Sequence, residues 1–256
     1  YEIGSGLVGS EMCIRDSTWR NYELVFTNEK IWMAYFITIA RTVIGTVGGV
    51  LITGMLAFAI SRTNLVGKKV YAMLCLIPMY FGGGLMPTYF LILSLGLKNN
   101  FLVYIIPALV NLWNMILMRS YFQSLPEALE ESALIDGANY ITIFFKIYFP
   151  LSTPIIATIA LYFGVQHWND WFQAQLYISD SSLHSLQAML NAMQNNLEYL
   201  TKNPSASASI SDLKKNMPQE SVRMAIAFVV AVPIACIYPF FQKYFISGLT
   251  VGAVKG

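Results

Sequence analysis

Charge is scarce in this chain. Only 12% of its 256 residues are Asp, Glu, Lys or Arg, against about a quarter in a soluble domain. Hydrophobic residues make up 56%, and they arrive in blocks, which argues against an unusually greasy soluble core. Basic runs are missing. The lysines and arginines are scattered between apolar blocks, so no nucleic-acid partner is expected. Cysteine is nearly absent: of Cys13, Cys75 and Cys236, the last two sit in apolar runs as small packing residues. With no CxxC or Cys/His spacing, neither a disulfide nor zinc is expected. His167 and His184 lack metal-ligand spacing, and no HExxH occurs. There is no GxxxxGK[ST] and no nucleophile–base constellation, so the chain is expected to be neither an enzyme nor a cofactor carrier.

What remains is a set of long apolar runs. A bilayer core needs roughly 20 mostly apolar helical residues, and five stretches qualify, near residues 31–60, 70–95, 101–122, 151–176 and 222–246. Lipid leaves only helices or closed barrels to satisfy the backbone, and runs this long are not barrel strands. The predicted fold class is all-α, a polytopic transmembrane helix bundle. Pro78, Pro87, Pro107, Pro233 and Pro239 predict kinks, and Gly82–Gly84 an interruption of the second run. Residues 1–17, "YEIGSGLVGSEMCIRDS", resemble neither a signal peptide nor a span and read as non-native adapter sequence. Residues 18–256 form the domain.

Orientation follows the short-loop cations. Arg62, Lys68 and Lys69 place the loop 61–69 in the cytoplasm, and the loop 96–100, with Lys98 alone, outside. By alternation 120–150 is cytoplasmic, 177–221 external and the C-terminus cytoplasmic. In the external loop Leu183, Leu186, Met189, Leu190, Met193 and Leu197 recur at helical intervals and predict an amphipathic helix.

The cytoplasmic loop is the most informative segment. Ser124-Leu125-Pro126-Glu127 fits a capping box. Gly137 is placed to stop the helix that follows. A second segment, 140–149, is expected to end before Pro150. The product is an L-shaped helix pair of the kind that docks into a partner's groove.

"ESALIDGA", followed by Ile147-Tyr148-Phe149-Pro150, resembles the EAA loop of permease subunits of binding-protein-dependent ABC importers, with Glu131, Ala133, Gly137, Ile147 and Pro150 at the family spacing. Ser132 replaces a second small residue, and Phe149 stands where Leu is common. "TIARTVIGTVGGVLITGMLAFAISR", "FGVQHWNDWF" and "YPFFQKYFISGLTVGAVKG" look like the carbohydrate-uptake branch, as found in Gram-positive bacteria. Such subunits usually have six helices, so the resemblance implies a first helix upstream of Asn21. It also implies a bacterial plasma-membrane location and a set of partners: a second permease subunit in a heterodimer, a cytoplasmic ATPase dimer, and a lipid-anchored extracellular binding protein. Glu131, Ser132, Ala133, Asp136, Gly137, Ala138, Ile147 and Pro150 would form the coupling site, and Phe144, Phe145 and Ile147 would anchor it to the bundle.

For the sugar path the candidates are Arg41, Asn114, Trp168, Asn169 and Asp170. Arg41 lies inside the first run, where it can line an aqueous path, pair with a carboxylate, or snorkel. Asn111 and Asn114, three apart on one helix face, equally suit interhelical hydrogen bonds. Trp168 and Trp171 suit sugar stacking or the interfacial belt. Gly45 and Gly49 permit close helix packing. The competing functional reading is an ion-gradient-driven carrier, disfavoured because the runs carry almost no carboxylate.

Overall fold

The computed structural model describes residues 29–202, 227–228, 230–236 and 239. The segment 1–17, the position of a sixth helix, most of the run 222–246 and the C-terminal motif lie outside the described residues. Every regular element described is helical; among the described residues there is no strand. Among the described residues one helix, α1 (Glu29–Ser61), is long and apolar enough to cross a membrane, and three bent helix pairs meet the same test jointly. The chain divides into two compact units.

The larger unit takes in Ile39–Asn169. Its part of α1 is inside out by the standard of a soluble helix. Arg41, Gly45, Gly49, Thr53, Ala57 and Ser61, each four residues after the last, form a buried stripe of small and polar side chains. Val43, Ile44, Val47, Ile52 and Met55 are exposed. Large apolar groups gain nothing from burial when the solvent is lipid, whereas small ones let helices approach and polar ones need protein partners.

The second run is two helices, α2 (Lys68–Tyr80) and α3 (Leu85–Ser94), bent by 116° at the glycine triplet. Gly84 sits at φ +85° there, a value glycine takes without strain. The third run is likewise not one helix. Two short 3₁₀ turns, Phe101–Tyr104 and Ile106–Ala108, precede α4 (Leu112–Ser124), with a 45° bend. Backbone groups freed at such a break need partners in lipid. The Thr53 hydroxyl supplies two, donating to Leu109 O (3.0 Å) and accepting from Asn111 N (3.4 Å). Asn111 is therefore not on a helix face with Asn114: it is the N-cap of α4, and its side chain accepts from Asn114 N at 3.0 Å.

Next come α5 (Ala128–Ile135) and α6 (Tyr140–Leu151), then α7 (Thr153–Asn169), which turns 88° from α6. The fourth run does not extend as one helix to residue 176. It stops at Asn169, and Asp170 starts a new one, α8 (Phe172–Tyr177), by accepting from Phe172 N (3.0 Å) and Gln173 N (3.3 Å). The core of this unit gathers Phe58, Met115, Met118, Phe122, Phe144, Tyr148, Ile159 and Phe163.

The smaller unit includes α1 up to Thr38, α8 and α9 (Leu186–Lys202). Leu186, Met189, Leu190 and Met193 pack with Ile31, Ala34 and Val230. Leu186 N donates to the Thr38 hydroxyl at 2.9 Å. Leu183 lies in a preceding 3₁₀ turn rather than on the amphipathic helix.

Candidate functional site

The loop after α4 folds as an elbow, but not by the expected capping box. The Ser124 hydroxyl donates back to Tyr121 O at 2.7 Å and so closes α4. The next helix begins at Ala128 with no side-chain cap. Serine can serve either end of a helix, and here bonding within its own turn prevails. Gly137 does end α5. At φ +81° it allows Ala138 N to reach Ala133 O (2.9 Å) and Gly137 N to reach Leu134 O (3.0 Å), the paired bonds of a Schellman motif. Asn139 then opens α6, its side chain accepting from Thr142 N at 2.7 Å.

Pro150 does not terminate α6. Residues Phe144–Tyr148 form a π-turn, with Phe149 N bonded to Phe144 O. The longer loop relieves the clash a proline makes with the preceding turn. The helix thus runs through Pro150 to Leu151, and the Thr153 hydroxyl donates to the Pro150 carbonyl at 2.6 Å.

The elbow has a wet end and a dry end. Glu131, Ser132, Asp136 and Gly137 are exposed, Ala133 and Ala138 half-buried, and Ile135 is 86% exposed. At the other end Phe144 and Tyr148 are buried among Phe58 and Phe122, with ring centroids 4.9 to 6.4 Å apart. Ile147 packs beside them, but Phe145 is 44% exposed. The anchors are therefore Phe144 and Tyr148, because the π-turn rotates Phe145 away from the core.

Glu130 is the one buried residue of α5, and Arg62, just after α1, holds it. The guanidinium pairs with Glu130 through Nη1 and donates from the same nitrogen to the Tyr148 hydroxyl (2.6 Å). Nε and Nη2 donate to the Ser61 hydroxyl (3.0 and 2.8 Å). The group also lies 4.7 Å from the Phe58 ring centroid and 4.4 Å from that of Tyr148. A cavity of about 220 Å³, lined by Arg62, Lys68, Gln123, Glu127 and Tyr148, opens beside it. Arg62 was read from the sequence only as a marker of orientation. Its partners stand 68 and 86 residues away, and no local pattern connects them.

The residues expected along the path differ in burial, and Asp170 has a local role. Arg41 is fully buried, its guanidinium 4.2 Å above the ring centroid of Tyr104, so it does not snorkel. Asn114 is buried on α4 and Trp168 on α7, whereas Asn169 is exposed. Asp170 caps α8. Asp170→Asn should therefore unfold like the parent, and Asp170→Ala should lose about 1 kcal/mol. Thermal unfolding in detergent checks this; an asparagine variant as unstable as the alanine one rejects the capping role.

Residues 36–251 match the family described as binding-protein-dependent transport system inner membrane component. The chain is 35% identical over 237 residues to the polygalacturonan/rhamnogalacturonan transport system permease protein YtcP of Bacillus subtilis, covering 92% of this chain and 81% of that one. It is 36% identical to Protein LplC of the same organism, covering 92% and 78%. Among solved structures it is similar to a bacterial ABC transporter involved in the import of the acidic polysaccharide alginate, with a TM-score of 0.77 at 32% identity over 88% of this chain and 79% of that one.

Proposed function

The chain belongs to the family of binding-protein-dependent transport system inner membrane components, and on that premise we propose that its elbow is the joint through which a separate cytoplasmic ATPase drives the membrane helices. It is a multi-pass membrane protein and the permease subunit of an ABC importer, a transport subunit and not an enzyme. The single observation that carries the coupling reading is the two-ended elbow: a solvent-facing turn at Ile135–Gly137 and a buried aromatic root at Phe144 and Tyr148. The elbow exposes Ile135 (86%), Ile141 (67%) and Tyr140 (46%) near the carboxylates Glu131 and Asp136, apolar area that suits a protein groove.

In this reading Glu131, Ser132 and Asp136 face the ATPase. Ala133 and Ala138 keep the turn thin, Gly137 sets its angle, and Ile147 and Pro150 lie in the segment that carries motion into α7. A second, non-identical permease subunit completes the pore, a dimer of ATPases works from the cytoplasm, and a lipid-anchored binding protein delivers substrate from outside. The C-terminus is cytoplasmic. The cargo is an oligosaccharide. Similarity to permeases named for polygalacturonan/rhamnogalacturonan and alginate transport makes uronate oligosaccharides the first probes. Arg41, Asn114, Trp168 and Asn169 are retained as path candidates, with Asp170 in a capping role.

Ile135→Asp tests the docking surface, because it changes the exposed tip and touches no core residue. The variant should remain in the membrane at the parent's level but copurify with the ATPase at least tenfold less. Undiminished copurification, or uptake of a galacturonate trisaccharide that persists in ATP-depleted vesicles, overturns the reading.

A further inference from the structure

We propose that Arg62 is a positioning residue that latches the elbow to the end of α1, so that a push on α5 reaches the first long helix directly as well as through the chain. The inference rests on the coupling role proposed for the elbow. Its physical basis is how α5 is attached. Of the eight residues of this helix only Glu130 is buried, and it is a carboxylate. Apolar packing of α5 on the core is limited to the half-buried Ala133. Its polar anchor is one guanidinium, which bridges Glu130 on α5, Tyr148 on α6 and Ser61 at the end of α1.

Such a bridge suits a lever. An apolar contact tolerates sliding, whereas a planar guanidinium whose Nε, Nη1 and Nη2 are all engaged permits one orientation. Two rings fix its plane, Phe58 from α1 and Tyr148 from α6. Phe58 O in turn accepts from the Ser61 hydroxyl at 2.7 Å, so the acceptor is itself oriented by α1. A buried ion pair adds little net stability over an apolar pair of the same shape, and the directional bonds of this one suit it to fixing register. Register is what a force-bearing joint requires.

The test is made on the permease in detergent, with Cys75 and Cys236 replaced by serine, and Cys13 likewise where the chain carries it. Spin labels go on Ser132→Cys of α5 and Thr63→Cys just after α1, both exposed positions. The parent should give one narrow distance distribution. Arg62→Lys keeps the charge but loses the fork, and Glu130→Gln keeps the shape but loses the charge. Each should broaden the distribution at least twofold. Tyr148→Phe, which retains the ring packing and loses only the hydroxyl, should broaden it less. Should Arg62→Lys not fold, Arg62→Met/Glu130→Met supplies the same comparison without a stranded charge. In the assembled transporter these variants should still copurify with the ATPase, while galacturonate-stimulated hydrolysis falls about tenfold. Distributions as narrow as the parent's in Glu130→Gln and in whichever Arg62 variant folds overturn the latch. The label measurement needs no ATPase, so loss of the latch is distinguishable from failure of the elbow to dock.

Discussion

Gly45→Leu should leave almost no monodisperse permease, and Gly49→Leu little more. A Cβ at Gly45 would lie 2.4 Å from Nε2 of His167, and one at Gly49 would lie 2.8 Å from Cε1 of Phe163. The two glycines are one turn apart on α1, and the two rings one turn apart on α7. The helices therefore meet over two consecutive turns, ring against backbone. The rings cannot easily yield: His167 is 2% exposed, Phe163 is fully buried, and they stack at 19° with centroids 6.4 Å apart. Overpacking a well-filled site costs roughly 1–3 kcal/mol, and lipid supplies no hydrophobic drive to hold displaced helices together. A single methyl should already register: Gly45→Ala should lower the unfolding temperature in detergent by several degrees. Adding His167→Ala should return part of that loss, because the two sites share one contact and their effects are not additive. Size-exclusion profiles of the leucine variants, and thermal unfolding of the parent, Gly45→Ala, His167→Ala and the double variant, decide it. A well-behaved Gly45→Leu permease would mean that α1 and α7 do not meet in this way.

How much of this was legible in advance depended on the range of the force involved. Gly137 and the glycine triplet at Gly82–Gly84 were legible because backbone handedness is a property of one residue. The pair Gly45/Gly49 announced a close approach but not its partner, since ring and glycine are more than a hundred residues apart. The stripe Arg41, Gly45, Gly49, Thr53, Ala57, Ser61 was open to view as a period of four in small and polar residues. Hydropathy alone averages it away. Ser124 fits a capping box yet closes α4, because one hydroxyl can close the helix before it or open the helix after it, and sequence does not rank the two. Pro150 reads as a helix breaker, yet a π-turn upstream accommodates it. The Arg62–Glu130–Tyr148 cluster was not legible: three residues from three segments, each unremarkable in its own neighbourhood, meet only in the fold.

Two kinds of joint therefore meet at the elbow. The latch is long-range and electrostatic, and the turn at Gly137 is local and conformational. They can be separated by experiment, because Gly137 has no neighbour to offend. Apart from its two chain neighbours, no residue would come within 4 Å of a Cβ at this position, yet φ is +81°. Side-chain volume is thus irrelevant at this position and handedness is everything. A left-handed conformation costs an ordinary L-residue roughly 1–2 kcal/mol, less for asparagine, and most for a β-branched side chain. Gly137→Asn should accordingly copurify with the ATPase almost as the parent does. Gly137→Ala should fall several-fold, and Gly137→Val at least tenfold. All three should unfold within a few degrees of the parent, because Gly137 is exposed and only the half-buried Ala133 and Ala138 beside it touch the core around Phe58 and Phe122. The strain is relieved at the exposed end of α5, from Glu131 to Asp136, while Glu130 stays on Arg62 and α6 keeps its buried aromatic root. The order of the first two variants is decisive. Asparagine is larger than alanine, so a ranking by size places it lower, and a ranking by backbone preference places it higher. If the alanine variant docks better than the asparagine variant, the angle of the turn is not what the ATPase reads.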